Sequence, residues 1–463
     1  MQVKTPINRP SFVRRPSGNF RSRGEPGFVI ILVAVFLLFV VGAMAALSID
    51  VVTFYTARSE AQLAADGAAL AGARVLANSG VTSDINSPGD GMLAAAQLLA
   101  GPVAKQVAIS NSFGGRNLLA AEVTVNFNGS GNNPCSADPQ LQVSNPCVTV
   151  TVTRTDLPVF FARIWGSTQA KITASATAEA FNPSGLATDV TASLGVPVAP
   201  SCVKPWLLPN IDPTTGNPIF DPHTGEIQNS ALLGAVFPGS LYGFGLHATC
   251  NVAGSCNPVP PPKWEYLVGD DSTSFPPPTL AVPACTLSTS PNFQLGIAGC
   301  VQPPIICGAT GQVNIKIDAD QTLDQAAADA VNCLANTSGN QGDTILPTMI
   351  PPTPFQFTAG TDNPLVQAGT LTAGSNIVVS NSLVTVPVFD SQGYGGGTSV
   401  TVIGFLQLFL QPSGLAVNSV TNQIESKIIN MVGCGLNSNA GSTIVPVYGN
   451  GATAVPVRLI SPP

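Results

Sequence analysis

Residues 28–49, FVIILVAVFLLFVVGAMAALSI, form an apolar run without a charge. As a helix the run spans about 33 Å, enough to cross the hydrocarbon core of a bilayer. No proline follows before residue 77, and the only glycines are Gly42, Gly67 and Gly72. The helix is therefore expected to continue past the run, to a total of about 75 Å. In its second half Ala57, Ala61, Ala64, Ala68, Ala71 and Val75 recur at spacings of three and four, giving one small-residue face. That face either packs on the protein's own sheet or lets neighbouring helices approach closely. A short helix is expected over 91–100. The period then changes to two in AEVTVNFN (121–128), CVTVTVTRT (147–155) and AKITASATAEA (170–180), which predicts strands. The apolar, aromatic stretch LPVFFARIWG (157–166) separates the last two of these, and a linker is expected at 183–201. Beyond Cys202 proline and glycine dominate. Strands are expected at 384–390, 398–411 and 453–460, and a helix at 323–336.

Charge sharpens this picture. Only 9% of the residues are charged, against about 25% in ordinary soluble domains. Residues 1–27 carry six basic residues against Glu25, whereas the remainder is strongly acidic. An acidic body excludes the basic patch that nucleic-acid binding requires, so no nucleic-acid partner is expected. A basic segment beside an apolar span places that end in the cytoplasm and the bulk outside. AMA at 43–45 is a literal signal-peptidase site, but the apolar run is longer than a signal peptide's core, which favours an uncleaved anchor. All ten cysteines follow the anchor, and only two histidines, His223 and His247, are present. This suits disulfides in an oxidising compartment better than metal binding. Loop length alone suggests Cys135–Cys147 and Cys250–Cys256 as pairs.

The residues following the run carry a recognisable arrangement: Asp50, Tyr55, Arg58, Gln62, Asp66, Ala68, Ala69, Leu70 and Ala71. In this pattern the segment resembles the N-terminal membrane anchor of TadG-like Flp pilus-assembly proteins. VFFARIWGSTQAKITASATAEA (159–180) is similar to the distal part of the same envelope domain in TadE- and TadG-like proteins. The resemblance implies a single-pass protein of the bacterial inner membrane with its bulk in the periplasm and no catalysis. The implied partners are the inner membrane and other pilus-assembly or pseudopilin subunits, with a homo-oligomer left open. Type IV pilin precursors carry a glutamate five residues after their processing glycine. Counted from Gly24 or Gly27, that position is Val29 or Leu32 here, which favours an anchor that is not processed as a pilin. Independently of the resemblance, Asp50 stands where the span should end, and Gln62 and Asp66 lie one helical turn apart.

Few motifs point to other chemistry. Asp270-x-Ser272-x-Ser274 is a literal D-x-S-x-S adhesion-site motif, but FPPPTLAVPAC follows where that fold needs a helix. Residues 318–329 approach EF-hand spacing, yet Leu323 stands where glycine is required, and Thr322 with Gln325 reads better as a capping box. Asp212 and Asp221 head two Asp-Pro-x-Thr-Gly repeats, readable as turns or as paired calcium loops. No nucleophile elbow, P-loop or H-E-x-x-H occurs, so neither an enzyme nor a cofactor is expected.

The expected fold class is α+β: a long N-terminal transmembrane helix packed on a small antiparallel sheet, followed by a β-rich, disulfide-containing second domain. The expected boundaries are a basic tail at 1–27, the span at 28–49, helix extension and sheet at 50–182, a linker at 183–201, and the second domain at 202–463. The expected function is structural, in pilus assembly or a related secretion apparatus. An envelope adhesin, calcium-stabilised through 212–227 or 270–274, is the alternative.

Overall fold

The computed structural model describes residues 28–84, 91–127, 145–159, 161, 166, 169–182, 198–212, 215–223, 225–234, 236–240, 247–250, 256–259, 265–266, 292–299, 305, 313–318, 330–335, 341–346, 353–391, 399–410, 423–434, 447–450 and 453–460. The chain divides into two compact units, Met1–Tyr55 with Pro158–Ala170, and Thr56–Leu157 with Lys171–Pro463.

The first unit contains the membrane-type part of helix α1 (Phe28–Asn78). Nearly every large side chain in it is exposed, from Val29 and Ile30 through Phe39 and Met44 to Val52. So continuous an exposed apolar surface is unusual for a helix in water. Its length and apolarity suffice to cross a membrane.

The second unit is α+β. It begins with the remainder of α1, which ends where Gly80 adopts φ 86°, a left-handed stop that favours glycine. Next comes α2 (Met92–Ser110). The sequence predicts its end near residue 100, but the helix passes through Pro102 because Met92, Ala96, Ala100, Ala104 and Ala108 form one continuous buried stripe. The strands that follow are β1 (Ser112–Phe113), β2 (Arg116–Asn117), β3 (Val123–Phe127), β4 (Cys147–Pro158), β5 (Gln169–Ala180), β6 (Val198–Ser201), β7 (Leu208–Pro209), β8 (Val236–Ser240), β9 (His247–Cys250), β10 (Cys256–Val259) and β11 (Glu265–Tyr266). After the short helix α3 (Asn292–Ala298) come β12 (Val313–Asp318), β13 (Thr344–Leu346), β14 (Gln356–Thr358), β15 (Asn376–Ile377), β16 (Leu383–Phe389), β17 (Ser399–Leu410), β18 (Gln423–Gly433), β19 (Val447–Asn450) and β20 (Val457–Ile460).

Two sheets matter most. The first runs β20-β5-β4-β3. Hydroxyl pairs Thr149–Thr177, Thr151–Ser175 and Thr153–Thr173 fix the antiparallel register of β4 and β5 on the outer face. Val148, Val150 and Val152 point inward and are fully buried. α1 and α2 cover that inner face. A methyl group at Gly72 would stand 3.0 Å from Val148 Cγ1 and 3.1 Å from Ala104 Cβ, so both helices and β4 meet there. The second sheet is built around β17, which pairs antiparallel with β12, β16 and β18; β18 pairs with β8, and β16 runs parallel to β7. β16 and the described parts of β17 and β18 are buried on both faces. Val384, Val386, Leu406, Leu408, Ile428 and Met431 share one core with Trp206 and Phe220. Phe389, Val402, Phe405 and Val432 share another with Leu76 and Ala77 of α1, Met92 and Ala96 of α2, and Phe181.

The compact units are divided differently from the boundary expected at 183–201, whose residues 183–197 lie outside the described residues. The stretch 202–463 does not form a compact unit of its own. Its last strand, β20, pairs with β5, Val457 opposite Ala180 through Ile460 opposite Thr177. Arg458 seals the join through Glu179 at 2.5 Å and lies 4.7 Å over the Phe181 ring. β18 has no counterpart among the expected strands, because Ser426, Lys427 and Asn430 interrupt its apolar residues.

Lys204, between β6 and β7, is buried. Its amine donates to the Ile297 carbonyl at 2.8 Å and also to the Gly299 carbonyl. Burial pushes its pKa down from 10.5 to about 7. An unfolded chain retains this proton up to about pH 10.5, whereas the folded chain releases it near pH 7. The burial penalty is therefore complete below pH 7 and is relieved as pH rises from 7 toward 10.5. Denaturation at pH 6, 8 and 10 should show the wild type gaining stability relative to Lys204→Met by at most about 1.4 kcal/mol per pH unit within that window.

Candidate assembly interface

The residues singled out on α1 separate by exposure. Asp50, expected where the span ends, is buried at 2% exposure, and its Oδ2 accepts the Phe161 backbone N–H at 3.0 Å. Ala57, Ala61, Ala64, Ala68 and Ala69 are buried inside the chain, while Ala71 and Val75 are half-buried. Of the two readings open for the alanine face, packing within the protein is thus the one that most of it follows. Small side chains there let α1 lie close on its own sheet and on α2.

The opposite face is open. Tyr55 is 73% exposed and Leu63 67%; Arg58, Ser59 and Gln62 are exposed; Asp66 and Leu70 are half-buried. At 100° per residue, Tyr55, Ser59, Gln62, Leu63, Asp66 and Leu70 fall within an arc of about 100°. Gln62 is held in place within this stripe: its Nε2 donates to Asp66 Oδ1 at 2.7 Å and to the Ser175 carbonyl of β5 at 3.3 Å. Leu63 and Ser59 are not among the motif residues that the sequence pointed to; their signal was helical phase relative to Tyr55 and Gln62.

A clamp fixes this part of α1 to the sheet. Glu60 Oε2 accepts the Gly114 N–H at 2.7 Å, in the turn between β1 and β2. Arg154, at the inward end of β4, donates to the Phe113 carbonyl, to the Gly114 carbonyl at 3.0 Å, and to Asp156 at 2.6 Å. Arg116 joins Glu122 and Asp156, and its hydrogen bond holds the Glu122 carboxyl below the usual range. The stripe is therefore presented on a rigid base.

The other motifs fall as follows. Residues 213–214 and 224 lie outside the described residues, but both Asp-Pro-x-Thr-Gly repeats close as turns. Gly216 N–H donates to the Asp212 carbonyl and Gly225 N–H to that of Asp221, with the glycines at φ 76° and 72°. Asp212 Oδ2 accepts from Thr215 and from Asn229 at 3.1 Å. Its carboxylate thus serves the turn, which does not favour the calcium-loop reading. The His223 N–H donates to Asp221 Oδ1. Residues 270–274 and 319–329 lie outside the described residues. Among the described residues no group of three or more His, Cys, Asp or Glu is gathered where it could hold a metal ion.

α1 thus combines an apolar part long enough to cross a membrane with an exposed stripe further along the helix. Residues 27–75 match the family model Tad, Flp pilus-assembly TadE/G-like, and residues 86–178 match Tad_C, Tad-like Flp pilus-assembly. These two matches, over residues 27–75 and 86–178, support a role in pilus assembly. No curated protein and no solved structure matches the chain.

Proposed function

We propose that the protein is a structural component of a Flp-type pilus or a related secretion apparatus, held in the inner membrane by α1. Residues 1–27 lie in the cytoplasm, residues 28–49 cross the bilayer, and the rest stands in the periplasm. Its work is binding rather than catalysis. The stripe from Tyr55 to Leu70 joins other pilus-assembly or pseudopilin subunits, or further copies of the chain. The observation that carries this reading is that stripe: exposed, partly apolar, and continuous with a helix whose lower part is exposed as lipid-facing helices are. The basic charge before the span supports the orientation.

Disulfides belong to the same reading. We infer that Cys147, Cys202, Cys333 and Cys434 take part in disulfides, a reading supported by the absence of a free cysteine among the described residues. Cys250 and Cys256 stand directly opposite one another in the β9–β10 register. Opposed antiparallel positions have Cα separations within the range a disulfide needs. An oxidising compartment fits this pattern.

The test is complementation. A strain lacking the gene should lose surface pili, and the wild-type gene should restore them. A gene encoding Val35→Arg and Leu38→Arg should not, because each arginine adds about 2.5–3.5 kcal/mol to insertion of the span. Normal piliation in the deletion strain would refute the assignment.

A further inference from the structure

Gly67 and Gly72 both lie in the part of α1 beyond residue 56, and they differ. A methyl group at Gly72 would meet Val148 and Ala104 at 3.0 and 3.1 Å, so the fold itself needs a small residue there. A methyl group at Gly67 would meet nothing within 4 Å. Glycine weakens a helix interior relative to alanine, and no packing inside the chain compensates for it at residue 67. What the missing side chain leaves is room for a backbone to approach from outside.

Leu63, Gly67, Leu70 and Arg74 follow one another at spacings of four, three and four. At 100° and 1.5 Å per residue they form a seam about 60° wide and about 17 Å long, the pattern along which one helix receives another. Leu63 is exposed, and Gly67 and Leu70 are half-buried. The seam is thus apolar below and cationic at its upper end.

Arg74 is half-buried. Among the described residues it has neither a hydrogen bond nor an ion pair, and burial pulls its pKa down with no carboxylate to offset the pull. A guanidinium taken out of water without a carboxylate is unfavourable. The acid nearest to it along α1 is Asp66, about 12 Å lower on the axis, and Asp66 Oδ1 already accepts from Gln62 at 2.7 Å. Glu60, lower still, accepts from Gly114. A second copy does not supply the missing charge: two chains anchored by the same span run parallel and in register, which sets Arg74 beside Arg74, and like charges there repel.

We propose that the seam Leu63–Gly67–Leu70–Arg74 receives a helix of a different subunit, which approaches most closely over Gly67 and carries a carboxylate level with Arg74. This rests on the reading of α1 as a membrane-anchored helix that assembles through its exposed side, and it names the chemistry of the partner: an acidic helix rather than a further copy of this chain.

The experiment uses the full chain in whole cells. Arg74→Lys keeps the charge and provides an amine, which a water-soluble carbodiimide joins to a carboxylate in direct contact. Coupling at position 74 to an aspartate or glutamate of another subunit is expected, read by mass spectrometry of the joined peptides. Adding Gly67→Leu should remove that coupling, although leucine is the better helix former and thermal unfolding should come no earlier. With Leu63→Cys as reporter, Arg74→Leu should lower the yield of crosslinks from position 63 by about tenfold or more, again without earlier unfolding. Coupling within the chain, coupling to a second copy, or no coupling at position 74 while Leu63→Cys still crosslinks to a pilus-assembly subunit overturns this inference alone. So does unchanged coupling in the Gly67→Leu chain, for the close approach. No crosslink from Leu63→Cys in piliated cells overturns the assembly reading and this inference together.

Discussion

Asn430→Ala is expected to destabilise the second unit by about 3–5 kcal/mol, well above the effect of an ordinary substitution. The Asn430 amide donates to the Ala77 carbonyl at 2.6 Å and to Gln407 Oε1 at 2.5 Å. Its Oδ1 accepts from Thr82 at 3.1 Å and Ser83 at 3.3 Å. Gln407 in turn donates to Asn78, and Asn78 donates to the Val378 carbonyl. Asn182 closes the group through the Thr82 and Met431 carbonyls at 2.9 Å each. Asn430, Gln407, Asn182, Thr82 and Ser83 are fully buried. Water cannot readily replace a lost partner there, so each orphaned group carries a desolvation penalty of about 1–3 kcal/mol. This network joins the upper end of α1 to β17 and β18. Denaturation of the full chain in detergent measures the effect, and a loss below about 1 kcal/mol would mean that the network does not hold the helix to the sheet.

Leu63→Asp is expected to leave the fold intact and abolish assembly. Leu63 is 67% exposed, so the change should alter stability by no more than about 0.5 kcal/mol. At the centre of an interface, an apolar anchor lost to a charge removes about 2 kcal/mol or more, roughly a 30-fold loss of affinity. Tyr55→Ala should act in the same direction. Ala64→Asp should do the reverse, destabilising the protein by burying an unpaired carboxylate against its own core. Pilus counts with matched thermal unfolding separate the two effects. Equal loss of stability for Leu63→Asp and Ala64→Asp would remove the distinction between the faces.

The contrast between these two residues shows what the sequence could and could not reveal. Spacing located the helix and the alanine face, because periodicity is a local property. It left open what the alanines touch, since a small-residue face suits a sheet and a foreign helix equally. The alternation in CVTVTVTRT placed β4 and also carried an unused signal: Arg154 follows Val148, Val150 and Val152 in the inward series, which marks a buried guanidinium in need of partners. The motif around Asp50 was visible, but its partner Phe161 lies 111 residues away. β20 resembled part of a second domain because its pairing with β5 crosses 279 residues at Arg458–Glu179. β18 was missed since a strand buried on both faces, with Asn430 in its middle, neither alternates nor forms an unbroken apolar run. In each case the missing information was long-range pairing, which composition and period do not encode.

The central claim is that α1 assembles through its outward stripe. Cysteines placed singly at positions 55, 59 and 63, and at the buried positions 61, 64 and 68, test it by crosslinking in whole cells. The account predicts crosslinks from 55, 59 and 63 to a pilus-assembly subunit or to a second copy, and none from 61, 64 and 68. Crosslinks confined to the buried alanine positions, or no crosslinks from the stripe in piliated cells, would contradict it.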